Sequence, residues 1–129
     1  MSTITKEPRA AVLREECKDF PPLDLDEVPD IVTGSAHAMW LWCKLGAVLL
    51  ERQCLSVAHR TVFVLLCMAY DHLKMLQSVK RDVLQTQAPH GLDHVDDDLR
   101  ATTDELEALC DVFGVSRRVI GRLEVGRSD

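Results

Sequence analysis

SVAHRTVFVLLCMAYDHLKMLQSVKRDVLQ, from Ser56 to Gln85, carries apolar side chains in four-three steps at Val62, Leu66, Ala69, Leu73, Leu76 and Val83, with Lys80 holding one position of the seam. That period belongs to helices packed lengthwise, as antiparallel or coiled pairs. Ser56 is placed to cap a helix running from Val57 to about Gln85. At ~1.5 Å per residue such a helix is about 40 Å long, more than one shorter neighbour can cover. Phe63, Cys67 and Tyr70 form a second apolar line beside the seam. The stretch therefore predicts one arm of a helical hairpin with a surplus apolar flank.

Upstream, Thr33-Gly34-Ser35 leads into Ala36 to about Arg52, with Ser35 as the capping residue. Met39, Trp40, Leu41, Trp42, Leu45, Val48 and Leu49 put bulky groups on nearly every face of this helix. Burial on several sides is implied, supplied either by the remaining helices of the same chain or by partner subunits. We expect Trp40, Trp42, Phe63, Tyr70 and Leu73 at an interface between copies. Gln53-Cys54-Leu55 reads as the turn between the two helices. Residues 1–34 mix Pro8, Pro21, Pro22 and Pro29 with charge and show no sustained apolar period, which predicts a flexible arm that orders against a partner. A short helix from Arg9 to Lys18 fits within it and must end before Pro21-Pro22.

Downstream, Ala88-Pro89-His90-Gly91 breaks the long helix. A third helix is expected from Leu92 or Val95, with Val95, Leu99, Leu106, Leu109, Cys110 and Phe113 on its buried stripe. Gly114 ends it in the left-handed conformation favoured at helix C-termini. Ser116 then caps a short basic helix from Arg117 to Glu124. The expected fold is all-α, with an oligomerisation core over 35–114 and a basic C-terminal helix and tail over 115–129.

With 129 residues the chain is of single-domain size and can bury a modest core. The formal net charge of -6 argues against a surface that tracks nucleic acid everywhere, since phosphate neutralisation needs clustered Lys and Arg. Charge is nevertheless segregated. From Asp93 to Asp111 eight acids stand against Arg100, and the tail reverses sign through Arg117, Arg118, Arg122 and Arg127. Five widely spaced cysteines suggest reduced core thiols, not a disulfide framework or a zinc knuckle. No run of ~18–20 uncharged apolar residues and no signal-peptide pattern is evident, so a cytoplasmic protein is expected. His90 and His94 near Asp96, Asp97 and Asp98 offer a weak metal-ligand pattern that solvated charges at a helix start explain more simply. No Ser-His-Asp or Cys-His arrangement is suggested, and we expect no catalysis, no metal and no cofactor.

The segment Thr103 to Ile120 has the form of a helix-turn-helix, with Ser116, Arg117 and Arg118 at the leading end of the second helix. A small dimeric transcriptional regulator, with the long helix as its dimer interface, follows from that reading. A pure interaction adaptor fits the acidity.

The whole middle of the chain also resembles the small terminase subunits of tailed bacteriophages. The resemblance rests on the Trp40 helix with Leu45-Gly46 and Leu49-Leu50, then Leu55-Ser56 opening a helix with His59-Arg60, Phe63, Leu66-Cys67 and Ala69-Tyr70. It closes on Val112-Phe113-Gly114-Val115-Ser116-Arg117, and spans roughly Ala36 to Leu123. Family members usually show Thr-Pro-Ser after the Phe-Gly turn and a basic arm, whereas this chain has Ser116-Arg117-Arg118 and an arm that is not basic. The resemblance implies a ring-forming, non-catalytic component of a genome-packaging motor. Such a protein recognises double-stranded viral DNA in the bacterial host cell and modulates the large terminase subunit's ATPase and nuclease. Arg117, Arg118 and Arg122 are the expected phosphate contacts, followed by Arg60, Lys80 and Arg81.

Overall fold

The computed structural model describes residues 7–86 and 92–127, and among these the chain is helical with no β-strand. The elements are α1 (Glu7–Cys17), α2 (Asp30–Thr33), α3 (Ala36–Glu51), a 3-10 turn (Val57–His59), α4 (Arg60–Thr86), α5 (Leu92–Val112) and α6 (Arg117–Val125). The Ala88–Gly91 break and His90 lie outside the described residues.

The main helices stand where the apolar period puts them. Ser35 caps α3, its hydroxyl accepting from the Ala38 amide at 3.2 Å, and donates to Asp71 of α4. Leu66, Ala69 and Leu73 of the α4 seam are buried, and α5 packs antiparallel along that seam with Leu106 and Cys110. Lys80, the polar member of the seam, meets Asp96 of α5 at 2.8 Å. Gly114 has φ +69, as a left-handed helix end requires. Two caps differ from expectation. Ser56 precedes a 3-10 turn and makes no capping bond, because its hydroxyl is held by His59 instead. Ser116 also makes no capping bond, and its oxygen is enclosed by the fold.

From residue 7 onward the segment expected to be an arm is folded into the core. Ala10, Leu13, Leu23 and Val32 are buried. α1 lies against the α5–α6 turn, where Arg9 Nε donates to the Val112 carbonyl at 2.9 Å. A Cβ on Gly114 would stand 2.9 Å from the Ala10 amide nitrogen, so this close approach needs glycine as well as its φ. Residues 21–28 form a strap across α3. Val57 N–H donates to the Pro21 carbonyl and Leu23 N–H to Leu55, which anchors the strap to the α3–α4 connection. Leu25 sits over Gly46 and its carbonyl accepts from Trp42 Nε1 at 2.9 Å.

These contacts decide where the tryptophans go. Trp42 and Phe63 are 0% exposed, with ring centroids 5.2 Å apart, and Tyr70 and Leu73 are buried as well. Four of the five residues expected between copies are thus enclosed by their own chain, because strap, α3, α4 and α5 together cover both apolar lines of α4. Trp40 is half-buried and stacks on Tyr70 at 5.8 Å. Val119, Ile120 and Val115 join the same core, so the C-terminal helix is no separate unit.

The stretch from Val57 to Thr86 is long enough to cross a membrane and reaches a mean hydropathy of 1.2 over its most apolar 18 residues, but Asp71 falls within every such window, so no uncharged apolar run of that length occurs in it.

Candidate nucleic-acid interface

α6 is amphipathic at close range. Val119, Ile120 and Leu123 face the core, whereas Arg117, Arg118, Gly121, Arg122 and Val125 face solvent. Helical spacing sets the three arginines around Gly121, with Glu124 one turn further on. A Cβ on Gly121 would meet nothing within 4 Å, so the face is open at its centre. Its inner edge is polar and well tied. Glu124 accepts from Tyr70 Oη at 2.7 Å and pairs with Lys74. Arg127 Nη1 donates to Tyr70 Oη at 3.3 Å and lies 4.6 Å above the Trp40 ring. Burial, then the Glu124 bond and charge, push the Tyr70 hydroxyl well up. Burial also pushes the Glu124 carboxyl up, but the bonds from Lys74 and Tyr70 outweigh it and hold the group below its ordinary value.

Beside this face, α4, α5 and α6 enclose an open cleft of about 590 Å³. Lys74, Arg117 and Arg118 line it together with Glu107, Asp111 and Glu124. The cleft is therefore balanced in charge, and Arg117 lies 3.8 Å from Glu107 with both side chains about half-exposed. A pair this open and this long contributes little and releases its arginine readily. Arg117, Arg118 and Gly121 stand on the rim of this cleft, and Arg122 lies beyond it on the exposed side of α6.

The other expected contacts are divided. Arg81 is exposed and follows Lys74 and Gln77 at helical spacing, about 10 Å along α4 from Lys74, and does not line the cleft. Lys80 is engaged with Asp96. Arg60 is exposed at the start of α4, roughly 30 Å along the helix from Arg81, and does not join the group.

One cluster was not anticipated. Ser56 Oγ lies 3.0 Å from His59 Nδ1, His59 Nε2 lies 3.5 Å from Glu16, and Cys17 Sγ lies 3.8 Å from His59 Nδ1. Serine, histidine and carboxylate thus meet across α1 and the start of α4, although nothing in the sequence places Glu16 near His59. Ser56 is 0% exposed, and burial raises the Cys17 thiol away from thiolate. We read the cluster as a polar clamp, completed by the edge-on contact of His59 with Phe113 at 6.0 Å. Among the described residues no group of three or more His, Cys, Asp or Glu side chains is arranged to hold a metal, and His94 is exposed.

Comparison with protein-family models, with curated proteins and with solved structures finds no match for the chain.

Proposed function

We propose that the chain is a self-assembling, non-catalytic DNA-binding protein, and specifically the small subunit of a bacteriophage terminase. In this role it gathers into a ring, recognises viral double-stranded DNA and presents it to a large ATPase-nuclease subunit in the bacterial cytoplasm. The observation that carries the reading is the exposed arginine cluster of α6, where Arg117, Arg118 and Arg122 stand around an open glycine on a chain of net charge -6. Multiplied around a symmetry axis, three arginines per copy make a basic belt on an acidic protein. The order of the Trp40 helix, the long α4 and the Phe113-Gly114 turn supports the terminase assignment over a general DNA-binding one.

Substituting Arg117→Ala together with Arg118→Ala tests the interface. Binding to duplex DNA should weaken, and the slope of log K against log salt should fall by about 2, one unit for each arginine taken off a phosphate. Unchanged binding and slope would remove α6 from the interface. Co-purification with a large terminase subunit, and a native mass corresponding to a closed ring, test the wider assignment.

A second reading is favoured by the turn itself. α5 gives way to Gly114 in the left-handed conformation and α6 starts shortly after it with its arginines outward, which is the layout of a helix-turn-helix regulator. A native mass of two copies favours the regulator.

A further inference from the structure

Arg127 stands two residues past the end of α6 and turns back onto the subunit. Its amide donates to the Glu124 carbonyl at 2.9 Å, its guanidinium carbon lies 4.6 Å above the Trp40 ring, and its Nη1 donates to Tyr70 Oη at 3.3 Å. An aromatic face beneath it and an acceptor at its edge are the contacts a planar guanidinium makes best. A lysine ammonium, a compact and strongly hydrated point charge, gains less from the same pair.

What meets Arg127 is held together by bonds that do not involve it. Trp40 of α3 stacks on Tyr70 of α4 at 5.8 Å, and His37, three residues before Trp40, meets Tyr70 edge-on at 6.3 Å. Tyr70 is 1% exposed and its hydroxyl hydrogen is committed to Glu124 of α6, which Lys74 holds in turn. With that proton engaged, the phenolic oxygen meets any incoming donor as an acceptor, strengthened by the carboxylate behind it. Rings, hydroxyl and carboxylate come from three helices and fix one another, so the site is organised in advance for its occupant.

The occupant is attached more loosely than the site. Arg127 reaches it across Val125, which is 87% exposed, and Gly126, which is exposed. The open cleft of about 590 Å³ is bounded by the same Tyr70, Lys74 and Glu124, and gives an incoming chain room beside the rings. A preformed site, an occupant on a short lead and an adjoining entry are the parts of a receptor closed by its own chain.

We propose that Trp40, Tyr70 and Glu124 form a receptor for an arginine side chain presented by a partner protein, with Arg127 as its displaceable occupant in the single subunit. The proposal goes beyond DNA recognition and does not rest on it. A partner arginine must replace an intramolecular contact whose effective concentration is of order millimolar. Exchange is therefore weak for one arginine alone and is strengthened by whatever else the partner touches.

The test uses the full chain, as wild type and as Arg127→Ala, titrated with a blocked Gly-Arg-Gly peptide and with its lysine and citrulline counterparts. Binding is followed by saturation transfer to the peptide in NMR and by tryptophan fluorescence, in which the fully enclosed Trp42 gives a constant background. We expect Arg127→Ala to bind the arginine peptide about tenfold more tightly than wild type does, and the lysine peptide about tenfold more weakly than the arginine one. The neutral citrulline peptide should not bind. Adding Trp40→Leu to Arg127→Ala should weaken the arginine peptide about tenfold with helical content unchanged. If leucine disturbs the helices, Trp40→Phe replaces it, with a smaller loss expected because a phenyl face attracts a cation less. Arginine peptide bound no more tightly by Arg127→Ala than by wild type, or not bound at all at roughly 10 mM, leaves Arg127 a packing residue and overturns the proposal. Equal affinity for arginine and lysine peptides assigns the contact to unspecific charge and overturns it. Binding undiminished by the change at Trp40 places the peptide elsewhere and overturns it as well.

Discussion

α3 and α4 are both rich in apolar side chains, yet the chain treats them differently. α3 carries both tryptophans and is wrapped by its own subunit, with strap residue Leu25 above it, α4 behind it and Arg127 laid over Trp40. α4 is covered along its seam and along the Phe63, Cys67 and Tyr70 line, and leaves Leu65, Met75 and Val79 to solvent. The bulk of a side chain therefore does not locate an interface between copies. Apolar surface remains where the chain's own segments do not reach, and here it is Leu65, Met75 and Val79 of α4 that remain exposed.

The comparison is broken most forcefully at Trp42. Trp42→Ala removes a fully enclosed ring, its packing on Phe63 and its bond to Leu25, and should cost about 3–5 kcal/mol in chemical denaturation. A loss under ~1 kcal/mol would mean that the subunit does not bury this ring by itself. Gly114→Ala is expected to cost about 2 kcal/mol, since alanine must adopt φ +69 and approach the Ala10 backbone too closely. Thermal unfolding of that variant reports whether α1 and the α5–α6 turn are locked together.

Glu124 sharpens the contrast in its pH dependence. Its folded pKa lies below the unfolded one, so the stability it contributes is complete above the ordinary carboxyl value of 4.5 and is lost as pH falls through the folded value. Glu124→Gln should lower stability at neutral pH and flatten the acid limb of a stability profile. An unchanged acid limb would show that the Tyr70–Glu124–Lys74 network carries no linkage. At the small end, Leu65→Gln and Val79→Gln should each change the stability of the isolated subunit by less than about 0.5 kcal/mol, because both already meet water.

The helical frame was legible because α3, α4 and α5 advertise themselves through period, and because Ser35 and Gly114 act on bonds within a few residues of themselves. The N-terminal segment was not legible. Leu13, Leu23, Leu25 and Val32 follow no period among their prolines and acids. Leu25 is placed by features of α3, a notch at Gly46 and an indole N–H in need of an acceptor, and α1 by the α5–α6 turn. The same blindness sent the tryptophans to an interface, since a sequence shows how much apolar area must be covered but not which segment covers it. The arginines of α6 were legible from charge reversal and helical spacing. Their segregation from Arg60, the engagement of Lys80 with Asp96 and the Ser56–His59–Glu16 cluster depend on contacts between distant elements.

The bond from Arg9 to the Val112 carbonyl spans 103 positions of the chain. During synthesis at ~5–20 residues per second, the first helix leaves the ribosome about 5–20 s before its resting place exists. For that interval the nascent chain presents Ala10 and Leu13 without their destination, and a chaperone or an early neighbour has its opportunity then, at the oldest end of the polypeptide.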